Sequence, residues 1–269
     1  MSCEVRKWVW YTSGTHEGVR SMYRSAGYRL SQGRIVGYGP SQIRRAAGAA
    51  RGVNRRVWRS VTGAGGRPGI AVKYPPEVIR GIADLPTPGY YDWYNRLNTL
   101  LDSLVVFGAN QLRNQGYRAV AMTRESVVKG EAGYNTVLPY KTLATRAGVG
   151  WIGRCALLVN DQYGSAIRLS GILTDAPFET ATPVEGSRCG RCVACVRLCP
   201  AQAINGREWS VGVCRDELVD APACRKVARE RAGLGFGRAD VTICGKCIEV
   251  CPYTRKYLRT NGMDRLGTD

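Results

Sequence analysis

The chain has 269 residues and 44% of them are hydrophobic, which excludes an intrinsically disordered polymer and allows one core domain with a smaller module. No run of 18 or more apolar residues occurs and the N-terminus lacks the basic-then-apolar order of a secretory signal, so we expect a cytoplasmic protein without a transmembrane helix, whose thiols stay reduced. The net charge of +18 is uneven, because residues 1–75 hold 14 Lys or Arg against two acidic residues; this favours a polyanionic partner, with a plain solvated basic surface as the alternative.

The first part of the chain carries little periodic pattern. Residues 1–68 are rich in Arg and Gly, and the apolar spacing suggests only a basic helix over residues 41–61. Regular elements are predicted from Ile70 onward. They are a strand at residues 70–72, a long helix at 90–115, a strand at 117–122 and a short helix at 140–146.

A glycine-rich stretch follows this short helix. It reads Gly148-Val149-Gly150-Trp151-Ile152-Gly153-Arg154, and three glycines within six residues predict a backbone that bends tightly or approaches a ligand closely. Two strands are predicted after it, at residues 155–160 and 166–174, joined by a turn. Together these elements indicate an α+β or α/β core whose loops gather near the glycines.

The C-terminal third contains most of the 11 cysteines. An odd count in a reducing compartment argues against a disulfide scaffold and favours metal binding. The run Cys189-x-x-Cys192-x-x-Cys195-x-x-x-Cys199-Pro200 has the spacing of bacterial ferredoxins, in which three thiolates bind one [4Fe–4S] cluster and the fourth binds a second cluster. A zinc site would instead have two separated pairs of ligands. The run therefore predicts a two-cluster iron–sulfur module.

A second motif, Cys244-x-x-Cys247-x-x-x-Cys251, repeats this pattern without its first cysteine. The two motifs are expected to exchange their last cysteines. The predicted ligands of cluster 1 are Cys189, Cys192, Cys195 and Cys251. Those of cluster 2 are Cys199, Cys244, Cys247 and one further cysteine. Cys214 and Cys224 are both candidates for that last position, and the spacing does not decide between them.

Cys155 and His16 lie outside the two cysteine motifs, and neither is expected to bind a metal. Cys155 lies in an apolar predicted strand, so we expect a buried structural thiol. His16 is the only histidine of the chain, which excludes a His-rich metal site and favours a surface side chain.

Residues 143–154, Leu-Ala-Thr-Arg-Ala-Gly-Val-Gly-Trp-Ile-Gly-Arg, resemble the glycine-rich signature of the epoxyqueuosine reductases. Gly164-Ser165, residues 171–175 and the two cysteine motifs follow as they do in that family. The resemblance covers residues 70–257. It implies the catalytic-domain fold of that family and of the related reductive dehalogenases, followed by a ferredoxin-like module. Since residues 220–224 resemble the place where the family draws its extra cluster ligand, it also favours Cys224 over Cys214.

The resemblance implies a function as well. The family reduces an epoxide on a modified tRNA base with cobalamin beside two [4Fe–4S] clusters, so that the cofactors carry the chemistry. We therefore expect an iron–sulfur oxidoreductase that receives electrons from a flavodoxin, a ferredoxin or a reductase, and that binds tRNA or another polyanion through its basic N-terminal third. The residues implied to line the corrinoid pocket are Gly148, Gly150, Trp151, Gly153 and Arg154.

Three departures from the family pattern stand out. Tyr134 occupies the position of an acidic residue that supplies a proton in the family, and no carboxylate lies between Ala132 and Arg154. Epoxide opening needs a proton donor, so Tyr134 is the candidate catalytic residue, with a structural tyrosine as the alternative. The C-terminal helical repeats of larger members are missing, which predicts a short form. Residues 1–68 do not resemble the family's N-terminal region.

Four segments and three functions are thus predicted. The segments are a basic N-terminal part (1–68), an α/β core that binds corrinoid or substrate (69–180), a two-cluster ferredoxin-like module (181–257) and a tail (258–269). The oxidoreductase is the first hypothesis. A non-enzymatic ferredoxin-like carrier that reduces a partner protein is the second, and an RNA-binding protein with purely structural clusters is the third.

Overall fold

The computed structural model describes residues 60–63, 67–130, 133–136, 138–178 and 181–263, with backbone only at residues 60–63, 67–68, 127–130, 133–136 and 261–263. The strands are β1 (Ser60–Gly63), β2 (Arg67–Lys73), β3 (Ala119–Met122), β4 (Val127–Gly130), β5 (Gly133–Thr136), β6 (Trp151–Ile152), β7 (Leu158–Val159) and β8 (Ile167–Thr174). The helices are α1 (Pro76–Arg80), α2 (Pro88–Asn114), α3 (Tyr140–Arg146), α4 (Ala194–Arg197), α5 (Ala221–Phe236), α6 (Lys246–Glu249) and α7 (Pro252–Met263). His16 and nearly all of the basic helix predicted at residues 41–61 lie outside the described residues.

A four-stranded sheet with the order β1-β2-β8-β3 forms the centre of the first half of the described chain. The central strand β8 pairs antiparallel with β2 and with β3, and Gly171 stands opposite both Gly69 and Met122. The pairing of β1 with β2 is antiparallel too. Since antiparallel strands need no crossover helices, the core is of the α+β type, which confirms the predicted fold class.

The long helix α2 covers this sheet. The Thr87 hydroxyl accepts a hydrogen bond from the Tyr90 backbone N–H at 3.2 Å, which caps the helix at its start. One face is buried at four-residue intervals, at Leu97, Leu101 and Val105, and the helix contacts β3 and β8. Its apolar stripe therefore packs on the sheet, as the spacing in the sequence predicts.

The cysteine-rich segment packs on the same core. Ile248 and Tyr257 belong to one buried cluster with Val72 and Tyr74 of the sheet region. The Tyr257 hydroxyl donates to the backbone carbonyl of Tyr74 at 2.7 Å, and both residues are buried. These contacts fix the cysteine loops relative to the sheet.

The predicted segment boundaries stay predictions. α7 runs through the boundary predicted between residues 257 and 258, and β1 lies inside the predicted basic N-terminal part. In the described part of the chain, none of the helices combines the length and apolar content that crossing a bilayer requires.

Candidate metal centre

Two short helices follow the cysteine loops. α4 and α6 pack against each other, and each ends two residues before a cysteine that is followed by proline. Gly190 and Gly245 have φ of +53° and +78°, and this left-handed conformation lets the chain turn back between neighbouring cysteines. The two motifs therefore repeat in local structure as well as in spacing.

The structure brings Cys189 and Cys251 together. Both pack against one buried apolar cluster that contains Trp151, and the rings of Trp151 and Tyr253 lie 4.9 Å apart in an edge-to-face arrangement. Burial raises the pKa of Cys251, and the nearby Cys189 thiol adds to this effect. The last cysteine of the second motif thus lies beside the first cysteine of the first motif, in the crossed arrangement expected for cluster 1.

Cys224 lies on the first turn of α5, close to Cys199 and Cys244. Burial raises the pKa of Cys224, and the charges of Cys199 and Cys244 raise it further. Asp220 caps α5, because its carboxylate accepts a hydrogen bond from the Ala223 backbone N–H at 2.9 Å. The turn that holds Cys224 is therefore well defined, and it brings this thiol to two of the predicted ligands of cluster 2.

Cys214 occupies a different position. Its backbone N–H donates to the Glu217 carboxylate at 2.8 Å, at the start of a short 3-10 turn over Arg215–Glu217. Of the two candidates, Cys224 is the one for which nearby Cys199 and Cys244 affect the pKa, and the choice between the two stays a prediction.

Cys155 lies between the two groups of thiols, a position that the spacing of the sequence does not indicate. It is buried in one cluster with Cys199, and Cys195 and Cys247 pack against that cluster. Cys195 and Cys247 both affect the pKa of its thiol. Cys195 lowers the pKa of Cys155, but Cys247 and burial outweigh this effect, so the pKa lies well above its usual value. The expected buried thiol is found, in an apolar cluster that contacts a predicted ligand of each iron–sulfur cluster.

Lys141 was likewise not singled out by the sequence. Its ammonium group donates to the backbone carbonyl of Ala156 at 2.5 Å. Burial lowers the pKa of Lys141, while the neighbouring Cys155 raises it. The buried Lys141 lies next to Cys155 because α3 packs against the β6–β7 hairpin.

The three glycines of the glycine-rich stretch are each explained by a close approach within the protein. A Cβ at Gly150 would lie 2.1 Å from the Val159 carbonyl oxygen, since β6 and β7 pair there. Gly148 has φ of +67° at the end of α3, as a helix C-terminus often requires. A Cβ at Gly153 would lie 3.5 Å from the Cys189 sulfur. The stretch therefore lies directly against the thiols of cluster 1.

Trp151 and Arg154, the other two residues of the predicted corrinoid pocket, point into the protein. Trp151 is fully buried, and its indole N–H has no hydrogen-bond partner among the described residues. The Arg154 guanidinium donates to the Gly190 carbonyl and to the Glu208 carboxylate, each at 2.8 Å. Arg154 thus ties the glycine-rich stretch to the loop of the first cysteine motif.

Tyr134 lies in β5, opposite Lys129 of β4. Its side chain lies outside the described residues, so its catalytic role stays a prediction.

The described cysteines are not arranged around a single ion. Within the described residues, no three His, Cys, Asp or Glu side chains could hold one metal ion. In a [4Fe–4S] cluster the four thiolates bind four different iron atoms. The lack of a single-ion site, such as one for zinc, among the described residues therefore does not test the predicted cluster ligands.

Known proteins share these features. Residues 188–254 match the family model of the 4Fe–4S double cluster binding domain. The epoxyqueuosine reductase of Listeria monocytogenes is 34% identical over 121 residues, which are 43% of this chain and 29% of that protein. The enzyme of a Synechococcus strain is 37% identical over 134 residues, which are 46% and 38% of the two chains. This chain is similar in sequence to the epoxyqueuosine reductases over these residues. It spans about a third of the length of these curated relatives.

A solved structure agrees at the level of the fold. A catabolic reductive dehalogenase superposes with a TM-score of 0.56 at 19% identity, over 75% of this chain and 28% of that one. A reductive dehalogenase whose dehalogenation is described as B12-dependent gives the same values. The likeness confirms the predicted core fold, and the family match confirms a two-cluster [4Fe–4S] module at its C-terminal side.

Proposed function

We propose that this protein is an iron–sulfur oxidoreductase of the epoxyqueuosine reductase type, which passes electrons through two [4Fe–4S] clusters to a corrinoid or directly to a substrate. One observation supports the proposal: Cys251 lies near Cys189, and Cys224 lies near Cys199 and Cys244, which are pairings that the crossed ferredoxin assignment expects. The clusters would supply one-electron transfer, and the chain would position them and exclude water.

The ligand sets that we propose follow from these neighbours. Cluster 1 would be held by Cys189, Cys192, Cys195 and Cys251. Cluster 2 would be held by Cys199, Cys224, Cys244 and Cys247. The nearness of Cys251 to Cys189 supports the first set, and the nearness of Cys224 to Cys199 and Cys244 supports the second.

Electrons would enter at cluster 2. Its proposed ligand Cys224 reaches the surface although its thiol is partly buried, and the neighbouring Arg225 and Lys226 on α5 are exposed. Leu198, next to Cys199, exposes 49% of its surface. Exposed basic side chains near the proposed cluster 2 suit an acidic electron donor, such as a flavodoxin or a ferredoxin, and the rate of reduction by such a donor should fall as salt rises.

Cluster 1 would deliver the electrons, because it adjoins the glycine-rich stretch. The residues implied to line a corrinoid pocket fit that role only in part. The indole N–H of Trp151 lacks a partner among the described residues, but Trp151 is fully buried and does not face an open pocket. The glycines and Arg154 contact protein instead. Their support for cobalamin is therefore indirect, through the loop that positions Cys189.

A polyanion such as tRNA is the substrate class that the charge supports. Besides the basic N-terminal third, a surface cleft of about 420 Å³ is lined by Arg80, Arg255 and Arg259, together with Glu249 and Leu258. Guanidinium groups suit phosphate recognition. Binding of tRNA should weaken steeply with salt, and a flat response would remove this partner.

Tyr134 would be the proton donor of the reaction. It stands where the family carries an acid, and no carboxylate lies between residues 132 and 154. Replacing Tyr134 by Phe should then reduce turnover by about 10²-fold or more, while iron content and tRNA binding stay unchanged. A Phe variant with full turnover would refute this role.

The enzyme hypothesis is favoured over a non-enzymatic carrier, since the relatives are named as reductases. Its test is anaerobic iron, sulfide and cobalt analysis after purification with cobalamin. We expect about eight irons per chain from two four-iron clusters, and one cobalt. Cys224→Ser should lower the iron content to about four, whereas Cys214→Ser should leave it unchanged. Zinc in place of iron would overturn the proposal, and iron without cobalt would favour the carrier.

A further inference from the structure

Cys155 is a ninth described thiol for eight ligand positions. It comes from the chain between β6 and β7, outside both cysteine motifs. Its residue is only 9% exposed, and it shares a buried apolar cluster with Cys199, against which Cys195 and Cys247 pack. Cys195 belongs to the proposed cluster 1 and Cys247 to the proposed cluster 2, so the apolar cluster that buries Cys155 contacts one proposed ligand of each.

The surroundings of Cys155 fix its position. The Gly153 backbone N–H donates to the Leu157 carbonyl at 2.8 Å and the Ala156 backbone N–H donates to the Gly153 carbonyl at 2.9 Å, which closes the turn that carries Cys155. The Cβ position of Gly153 lies 3.7 Å from the Cys155 sulfur and 3.5 Å from the Cys189 sulfur. The Cys155 and Cys189 sulfurs therefore both lie close to Gly153.

We propose that Cys155 is a positioning residue between the two clusters, whose S–H group donates a hydrogen bond to a ligand sulfur and thereby sets the reduction potential of the clusters. The inference rests on the proposed function, because it needs both clusters. A bound ligand thiolate carries no proton, so the single S–H proton of Cys155 would serve either the Cys195 or the Cys247 sulfur.

The physical reason lies in the charge of the reduced cluster. Hydrogen bonds to the cysteine sulfurs stabilise the more negative, reduced state and raise the potential. Such a bond to a charged acceptor in a buried site is stronger than a neutral one. Its loss should therefore make at least one cluster harder to reduce.

The experiment compares three variants of the full chain, purified without oxygen, by redox titration with electron paramagnetic resonance. Cys155→Val keeps most of the volume and removes the donor, Cys155→Ser keeps a donor, and Ile204→Val is the matched control, since Ile204 is a buried member of the same apolar cluster. For Cys155→Val we expect the ratio of reduced to oxidised cluster at a fixed potential to fall by about tenfold, a shift of about 59 mV for one electron. Cys155→Ser should restore most of it, and Ile204→Val should not differ from the unsubstituted protein.

Three outcomes overturn the inference. Equal potentials in all variants at full iron content would leave Cys155 with a packing role only. A loss of about four irons in both Cys155 variants would make it a ligand instead of a positioning residue. An unsubstituted protein without iron would overturn the proposed function itself, and the inference with it.

Discussion

A methyl group at Gly164 would collide with the start of α7. Gly164 has φ of +59°, and a Cβ there would lie 2.2 Å from the Thr254 backbone nitrogen and 2.6 Å from its Cα. Because backbone atoms cannot rotate away as a side chain can, α7 or the turn after β7 must move in the Gly164→Ala variant. Thr254 also affects the pKa of the Cys251 thiol, so the movement would reach a proposed ligand of cluster 1.

The expected destabilisation has two parts. A left-handed backbone costs a residue with a Cβ about 1–2 kcal/mol relative to glycine. Overpacking of a well-packed region adds about 1–3 kcal/mol. Gly164→Ala should therefore cost about 2–5 kcal/mol in the free energy of unfolding.

Gly237→Ala separates these two parts. Gly237 has φ of +73° and no atom lies within 4 Å of its Cβ position, so only the backbone cost of about 1–2 kcal/mol applies. In thermal unfolding of the anaerobic protein, one kcal/mol corresponds to about 2–4 °C for a chain of this size class. The Tm of Gly164→Ala should thus lie about 2–12 °C below that of Gly237→Ala, with earlier loss of visible cluster absorbance. Equal Tm values in the two variants would refute the close approach of the turn and α7.

Three further changes test smaller parts of the structure. Asp220→Ala removes the cap of α5, so it should lower the free energy of unfolding by about 1 kcal/mol and speed iron loss to a chelator. Asp220→Asn should behave like the unsubstituted protein. Equal iron loss from both variants would contradict a role of the cap in holding cluster 2. Tyr257→Phe leaves the Tyr74 carbonyl without its buried donor at 2.7 Å and should lower stability by about 1–3 kcal/mol in thermal unfolding; an unchanged Tm would mean that the bond contributes nothing. The hydrogen bond from Arg238 lowers the pKa of Asp240 to about 2. Its contribution to the stability of the folded protein is therefore complete above the unfolded-state pKa of about 3.9 and is lost as pH falls toward 2. A carboxyl-carbon NMR titration should give a pKa of about 2 for Asp240, and an ordinary aspartate pKa in Arg238→Gln.

The sequence by itself determined the features that are local along the chain. The cysteine spacing identified the metal and the number of clusters, because a loop that wraps a cubane needs its thiols at fixed short intervals. The helix expected at residues 140–146 is found with the same bounds. The long helix differs from its expected bounds by two residues at most, since its apolar stripe and its cap are both short-range signals.

Only the tertiary structure decided which distant residues meet. Spacing left Cys214 and Cys224 open, and the packing of α5 brings Cys224 to Cys199 and Cys244. The same holds for Cys155, which an apolar stretch predicts to be buried but whose neighbours come from both cysteine motifs. The glycines predicted to face a ligand mostly accommodate a neighbouring strand or thiol. The physical reason is that contacts between residues far apart in the chain depend on how whole elements pack, and no periodicity within one element records them.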